Sequence, residues 1–129
     1  ALDSFKELVD TGCVEILGET YYHTLSSVFD ETEFREQVRQ HTELVRSEFG
    51  VTPRVFRNTE LVYDDRIAEL AASLGFDAII AEGVDDVLRW RSPNFLYLPP
   101  DSELRLLLKN YRRSDDSACR VSNREWRDC

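Results

Sequence analysis

The chain has 129 residues, of which 42% are hydrophobic and 32% charged, and its formal net charge is −9. This length and composition predict one soluble α/β domain over residues 1–129, with a core of its own. The negative charge argues against a nucleic-acid partner. No apolar run reaches the ~20 residues of a membrane span and no secretion signal opens the chain, so we expect a cytoplasmic protein without membrane contact.

Metal-ligand patterns are absent from the sequence. Cys13, Cys119 and Cys129 form an odd set without a C-x-x-C spacing, and His23 and His41 are the two histidines of the chain. We therefore expect no zinc site and no other cofactor. The thiols are expected to be reduced in a cytosolic protein, and under oxidation Cys119 and Cys129 are the pair to test.

The N-terminal part of the chain predicts a helix, a strand and a loop. Apolar residues at helical spacing indicate a helix over 2–9, which Gly12 ends. Residues 13–17 alternate as a strand does, and 18–29 predict a long loop. Loops that follow strands usually carry the binding groups of α/β proteins.

A long amphipathic helix follows this loop. Asp30 and Glu33 form a capping-box-like start, and apolar residues recur at steps of three and four as far as Phe49. Gly50 ends the helix. His41 lies within the apolar stripe, so we interpret it as a histidine at the edge of the core and not as a ligand.

Glu60 is the residue at which the sequence first suggests chemistry. Residues 54–56 predict a short strand, and the oxygens of residues 63–65 can cap a following helix. Glu60 would then lie in a βα loop, where functional side chains gather in parallel α/β proteins. Two interpretations stay open from position alone: a catalytic carboxylate, or a surface glutamate that starts a helix.

The C-terminal half continues the alternation of helices and strands. A helix is predicted over 67–74, a buried strand over 78–81, and one or two helical turns over 84–90. Residues 95–98 predict a strand that two prolines stop. Residues 104–108 fit either a strand or a helix. Connections too long for hairpins favour parallel βα units.

Several segments, in their order along nearly the whole chain, resemble the catalytic domain of glycoside hydrolase family 57, in particular its α-amylase-type members. Phe-Arg-Asn-Thr-Glu-Leu at 56–61 is the most specific of the motifs. The matching segments are Cys13–His23, Pro53–Tyr63 and Asn110–Asp116, with Glu82–Gly83 and Ser122–Trp126 between and after them. The resemblance implies part of an irregular (β/α)7-type barrel that acts on α-glucans or maltooligosaccharides with retention.

Carried over, the resemblance makes Glu60 the catalytic nucleophile. It assigns the general acid/base to the pair Asp115 and Asp116. We favour Asp115, although the register leaves Asp116 open. Retention requires two carboxyl groups about 5–5.5 Å apart, one to attack the anomeric carbon and one to protonate the leaving oxygen.

The resemblance also implies a substrate-binding set around the nucleophile. His23, with Tyr21 and Tyr22, would line a glucose-binding subsite, and Glu15 would point into the barrel near it. Arg57, which stands in the same motif as Glu60, is the remaining candidate for substrate binding. Whether the reaction is hydrolysis or 4-α-glucan transfer stays open.

The family's upstream histidine motif and its downstream acidic and aromatic segments are not found in the 129 residues. We therefore expect a fragment of a larger catalytic domain, completed by the rest of the barrel or associating with itself through an open sheet edge. The alternative is a non-catalytic carbohydrate-binding or interaction module derived from the same barrel. A metal-dependent carbohydrate deacetylase on a similar barrel is a weaker hypothesis, because it requires an Asp-and-His metal set.

Overall fold

The computed structural model describes residues 2–120, with side chains as far as residue 118. Cys119 and Cys129, the pair to test under oxidation, and the segment Ser122–Trp126 lie outside these described side chains. In chain order the elements are α1 (Leu2–Asp10), α2 (Ser26–Phe29), α3 (Glu31–Phe49), β1 (Val55–Arg57), a 3₁₀ turn (Thr59–Leu61), α4 (Asp65–Ser73), β2 (Ala78–Glu82), α5 (Asp85–Leu88), β3 (Arg105–Lys109), α6 (Tyr111–Asp115) and a π turn (Asp116–Arg120).

Within residues 2–120 the strands form one parallel sheet in the order β1–β2–β3. Phe56 of β1 pairs with Ile79 of β2, and Ile79 pairs in turn with Leu106 of β3. The predicted parallel βα units are therefore confirmed, and the ambiguous segment 104–108 is a strand. Because the strands are parallel, their carboxyl ends all lie at the same edge of the sheet.

The core lies on the face of the sheet that the helices cover. Phe56 is fully buried, and its ring meets Phe34 of α3 edge-on at 5.6 Å and Phe76 at 5.1 Å between centroids. Ile67 of α4 and Ile79 of β2 complete the centre of this cluster. The packing fixes β1 firmly, and with it the turn that carries Glu60.

The helix ends agree with the capping residues expected from the sequence. Asp30 accepts a hydrogen bond from the backbone N–H of Glu33, and Asp64 accepts one from Ile67 at 2.7 Å. Gly50 ends α3 in the left-handed conformation, with φ of 69°. No helix within residues 2–120 combines the length and the apolar character that crossing a membrane requires.

The strand predicted over 13–17 is wrong, because the pairing is limited to its end. Gly18 bridges Phe56 in the parallel sense, with its N–H donating to Val55 and its carbonyl accepting from Arg57, both at 2.8 Å. Because Gly18 pairs with Phe56 and β1 begins at Val55, most of the residues before Gly18 lie beyond the amino end of β1 and have no ladder to join. The residues after Gly18 lie beside the Glu60 turn, where the hydroxyl of Thr20 is 3.0 Å from that of Thr59. The predicted long loop over 18–29 also contains a helical turn, α2.

The strand predicted over 95–98 is also wrong. Its one bridge joins Tyr97 to Leu106 of β3, and the pairing is antiparallel. Pro99 and Pro100 follow at once and have no backbone N–H to donate, so the ladder cannot continue.

Candidate active site

Glu60 lies in the 3₁₀ turn that directly follows β1, at the carboxyl edge of the sheet. Its side chain is 73% exposed. Glu60 and the next residue, Leu61, both have positive φ, at 54° and 57°. Left-handed backbone costs about 1–3 kcal/mol at a residue other than glycine, and such strain is common at functional sites.

Buried polar side chains hold this turn in its strained shape. Asn58 is fully buried, and its amide nitrogen donates to the carbonyl of Val62 and to the hydroxyl of Ser27, both at 2.9 Å. The carbonyl of Asn58 accepts from the N–H of Leu61 at 3.0 Å. The turn is therefore closed from both ends, and Glu60 projects from a fixed base.

A second strained turn brings His23 to Glu60. His23 has φ of 54°, and its N–H donates to the carbonyl of Thr20 at 3.1 Å. The buried hydroxyl of Thr20 lies 3.0 Å from the hydroxyl of Thr59 and accepts the N–H of Thr24 at 3.0 Å. This hydroxyl pair joins the His23 turn to the Glu60 turn.

The imidazole of His23 lies between two carboxylates. Its Nδ1 contacts Oε1 of Glu19, and its Nε2 lies 3.3 Å from Oε1 of Glu60. The hydrogen bonds and charges of these carboxylates, first Glu19 and then Glu60, raise the pKa of His23 above its ordinary value of 6.5. Two of the predicted site residues, which are 37 positions apart, are thus in contact.

Glu19 belongs to this site, although the sequence interpretation did not single it out. Its side chain is 28% exposed, and Nη1 of Arg57 lies 3.7 Å from the same Oε1 that contacts His23. Arg57 therefore reaches Glu60 through Glu19 and His23. A carboxylate four positions before a histidine was the available signal, but the turn between them is not helical, so spacing alone could not reveal the contact.

Tyr21 and Tyr22 contact each other in an edge-on arrangement, with 4.8 Å between ring centroids. They line a shallow groove together with side chains of α3, among them Gln40 and Glu43. Neither Glu60 nor His23 lines this groove. The tyrosines thus lie next to His23 in sequence but face a different part of the surface.

Glu15, Asp115 and Asp116 are the other acidic residues of the predicted site. Within residues 2–118, Glu15 is exposed and its side chain forms no hydrogen bond or ion pair. Asp115 is the last residue of α6 and is exposed, and Asp116 is half-buried at the start of the π turn. The chain leaves β3 at the same edge of the sheet as the Glu60 turn and reaches both residues through α6.

An apolar cleft lies near the Glu60 turn but outside the site. Leu61 and Leu88 line it together with Leu106 and Leu108 of β3, which face the helix-covered side of the sheet. Leu106 is buried in the core, whereas Leu108 is only partly buried. Among residues 2–118, no group of three or more His, Cys, Asp or Glu side chains is arranged to hold a metal ion.

Comparison with solved structures bears on the fold. A branching enzyme from Thermococcus kodakaraensis superposes with a TM-score of 0.75 at 16% identity, over 89% of this chain and 26% of that chain. A 4-alpha-glucanotransferase from Thermococcus litoralis superposes with a TM-score of 0.73 at 13% identity, over 88% of this chain and 18% of that chain. The likeness confirms the prediction of an α/β fold that corresponds to part of a (β/α)7-type barrel.

Sequence comparison gives the family. A Methanocaldococcus jannaschii protein named "Putative alpha-amylase" is 52% identical over 126 residues, which cover 97% of this chain and 27% of that protein. The chain thus spans about a quarter of the length of this relative. Residues 1–127 match the model of Glycosyl hydrolase family 57. With a match over almost its whole length, the chain belongs to glycosyl hydrolase family 57.

Proposed function

We propose that the chain forms the part of a retaining α-glucan-active glycoside hydrolase or 4-α-glucanotransferase that carries its catalytic residues. Glu60 is the nucleophile, and Asp115 or Asp116 is the general acid/base. The observation that supports this most strongly is the contact of Glu60 with His23 at the carboxyl edge of a parallel sheet. Membership of glycosyl hydrolase family 57 and the names of its relatives supply the substrate class.

The environment of Glu60 suits a nucleophile. A carboxylate attacks the anomeric carbon most effectively when a hydrogen bond to one of its oxygens fixes its orientation. The contact from His23 uses Oε1 of Glu60. The other oxygen is then available to attack.

The parallel sheet supports the partnership with Asp115 and Asp116. The chain leaves β1 and β3 at the same edge of the sheet, and it reaches Asp115 and Asp116 through α6. Retention requires one of these carboxyl groups to lie about 5–5.5 Å from Glu60 in the complete barrel. Substrate then lies along the carboxyl edge, with Glu60 and the Asp pair on either side of the scissile bond.

The rest of the barrel is the expected partner of this chain. The superposed part makes up 18% and 26% of the two solved relatives, and Glu60 and Asp115 are both exposed. Further βα units would cover the open site and exclude water from it, which strengthens electrostatic interactions. Self-association through the open sheet edge stays a prediction.

A graft tests this proposal. This chain replaces the matching segment of the Methanocaldococcus relative. The relative supplies the remaining length of the barrel. The chimera is treated with a 5-fluoro-α-glucosyl fluoride, and the labelled peptide is identified by mass spectrometry. We expect one glucosyl label, on Glu60. The Glu60→Gln variant, whose side chain has the same size, should carry none.

The acid/base is assigned by comparing two leaving groups. Asp115→Asn and Asp116→Asn are each assayed with a maltooligosaccharide, which needs protonation, and with α-glucosyl fluoride, which does not. Loss of the acid should slow the first substrate by ~10²–10⁴-fold and spare the glycosylation step of the second. Absence of label on Glu60, or full activity of both asparagine variants, would contradict the assignment.

A non-catalytic carbohydrate-binding module is the second candidate. The openness of the site favours it, since Glu60 is 73% exposed. Titration calorimetry of the chain with maltooligosaccharides distinguishes the two. Binding by the chain, together with a chimera that binds but does not turn over, would support the module and contradict the enzyme.

A further inference from the structure

We propose that Glu19 is a positioning residue, which holds the imidazole of His23 so that Nε2–H is donated to Glu60. A role of Glu19 in catalysis rests on the proposed function. The contacts of Glu19 with His23 and of His23 with Glu60 do not depend on it. Glu19 touches neither the reacting atoms nor Glu60. Its effect would pass through His23.

The two contacts of the ring favour the protonated form of His23. Both ring nitrogens of His23 face a carboxylate oxygen, Nδ1 that of Glu19 and Nε2 that of Glu60. An ionised carboxylate only accepts hydrogen bonds, and a neutral imidazole has a single N–H to donate. Two carboxylate partners therefore select the imidazolium form, in which both nitrogens donate.

Glu19 is the better anchored of the two partners. It follows Gly18, whose backbone is hydrogen-bonded on both sides to β1 at 2.8 Å. Nη1 of Arg57 lies 3.7 Å from the Glu19 oxygen that contacts His23. Glu60, by contrast, extends from a turn and is 73% exposed, against 28% for Glu19. The imidazole is thus oriented from the side of the sheet and presented to Glu60.

Replacing Glu19 by Gln removes this selection of the imidazolium. With a neutral amide beside Nδ1, the charged form of His23 loses its principal support. The amide can either accept from Nδ1 or donate to it, so both neutral tautomers become possible and the donation of Nε2–H to Glu60 is no longer enforced. The contact that holds Oε1 of Glu60 is therefore weakened, although the size and shape of the side chain at position 19 are unchanged.

The titration of His23 tests the contact without any assay of activity. The charged groups near the imidazole of His23 are Glu19, Glu60 and Arg57. The charge of Glu19 also acts on the pKa of His41, which it raises. Imidazole signals of the full ¹⁵N-labelled chain are followed by NMR against pH, with His41→Gln used to assign them. Glu7→Gln, on the exposed surface of α1, makes the same change of charge as a control.

We expect the pKa of His23 to fall in Glu60→Gln and to fall further in Glu19→Gln, because Glu19 is the larger cause of its elevation. The Glu19→Asp variant, which keeps the charge, should recover part of the loss. Glu7→Gln should leave the titration unchanged. Backbone amide spectra recorded on the same samples show whether each variant is folded. A His23 titration in folded Glu19→Gln that matches the wild type would overturn the proposal.

Kinetics in the chimera supply the second arm. Glu19→Gln should lower kcat with little change in KM, and the loss should deepen as the pH rises, because less His23 is then protonated. Equal loss at every pH would contradict a role through His23. If the titration shifts as expected but the wild-type chimera is never labelled on Glu60, the positioning contact stands and the proposed function fails.

Discussion

The hydroxyl of Thr20 lies 3.0 Å from the hydroxyl of Thr59, and both side chains are almost fully buried. Thr20 belongs to the segment that leads to His23, and Thr59 directly precedes Glu60. The two turns of the site, which are far apart in sequence, are therefore joined beneath the surface. Two exposed side chains can meet reproducibly only because their backbones are fixed relative to each other.

The two threonines should differ in what their loss costs. Thr20→Val leaves the hydroxyl of Thr59 and the N–H of Thr24 without the oxygen of Thr20, whereas Thr59→Val removes one partner of Thr20. We expect Thr20→Val to lower the free energy of unfolding by about 1–3 kcal/mol and Thr59→Val by less. Urea denaturation of both single variants and the double variant measures this. Equal costs that simply add would show that the hydroxyls are not coupled.

Asn58 should tolerate a carboxylate poorly. Asn58→Asp removes the donor that serves Ser27 and Val62 and puts a charge at a fully buried position. We expect a loss of roughly 3–5 kcal/mol, of the size caused by an uncompensated buried charge. Asn94→Asp is the matched control, since Asn94 is exposed and its side-chain oxygen, which Asp retains, accepts from Asn110. Denaturation midpoints of the two variants that agree within error would contradict this account of the turn.

Gly18 is required by close packing. A Cβ at this position would lie 2.5 Å from Cε1 of Phe76 and 2.6 Å from its Cζ. We therefore expect Gly18→Ala to cost about 1–3 kcal/mol of stability, as overpacking does. Adding Phe76→Leu should recover part of the loss, because it removes ring atoms that the new methyl would strike.

The control for this prediction is Gly12→Ala. A Cβ at position 12 would meet no atom within 4 Å, so the positive φ of 70° is the only source of strain in this variant. Phe76→Leu should not improve Gly12→Ala. If it improves both variants equally, the clash at Gly18 is not the cause. Thermal denaturation of the single and double variants provides the comparison.

Patterns of apolar residues and capping side chains made much of the fold predictable. The long run ended by Gly50 is α3, and the position of Glu60 after a strand follows from Pro53 and the cap at Asp64. Local patterns failed where a strand depends on its partner. Residues 13–17 alternate like a strand, but β1 is only three residues long and offers them nothing to pair with.

The site was predictable only in part, because motifs name residues but do not show which side chains meet. Glu60 and His23 are named by motif resemblance, and the structure brings their side chains together. Glu19 was missed because its contact with His23 depends on a left-handed turn at His23, which no periodicity reveals. The groove of Tyr21 and Tyr22 likewise depends on how α3 packs beside the loop.

The two histidines should titrate on opposite sides of 6.5, the ordinary value of the pKa. Glu19 and then Glu60 raise the pKa of His23, whereas burial lowers that of His41 and the charge of Glu19 only partly opposes this. The stabilisation from His23 is thus complete below 6.5 and lost as the pH rises through its higher folded value. The contribution of His41 has the reverse sign: it is present above 6.5 and lost as the pH falls.

The difference in stability between a variant and the wild type, followed against pH, separates the contribution of one histidine from those of the other titrating groups. Denaturation midpoints are measured between about pH 5 and 8, the range in which histidine changes charge. Relative to wild type, His23→Gln should lose most stability at the acid end, where the imidazolium and its two carboxylates are intact. His41→Gln should gain relative to wild type at that same end, because a half-buried imidazole no longer resists protonation there. Two difference curves of the same slope would mean that both rings sit in similar surroundings, contrary to the contacts of His23 with Glu19 and Glu60.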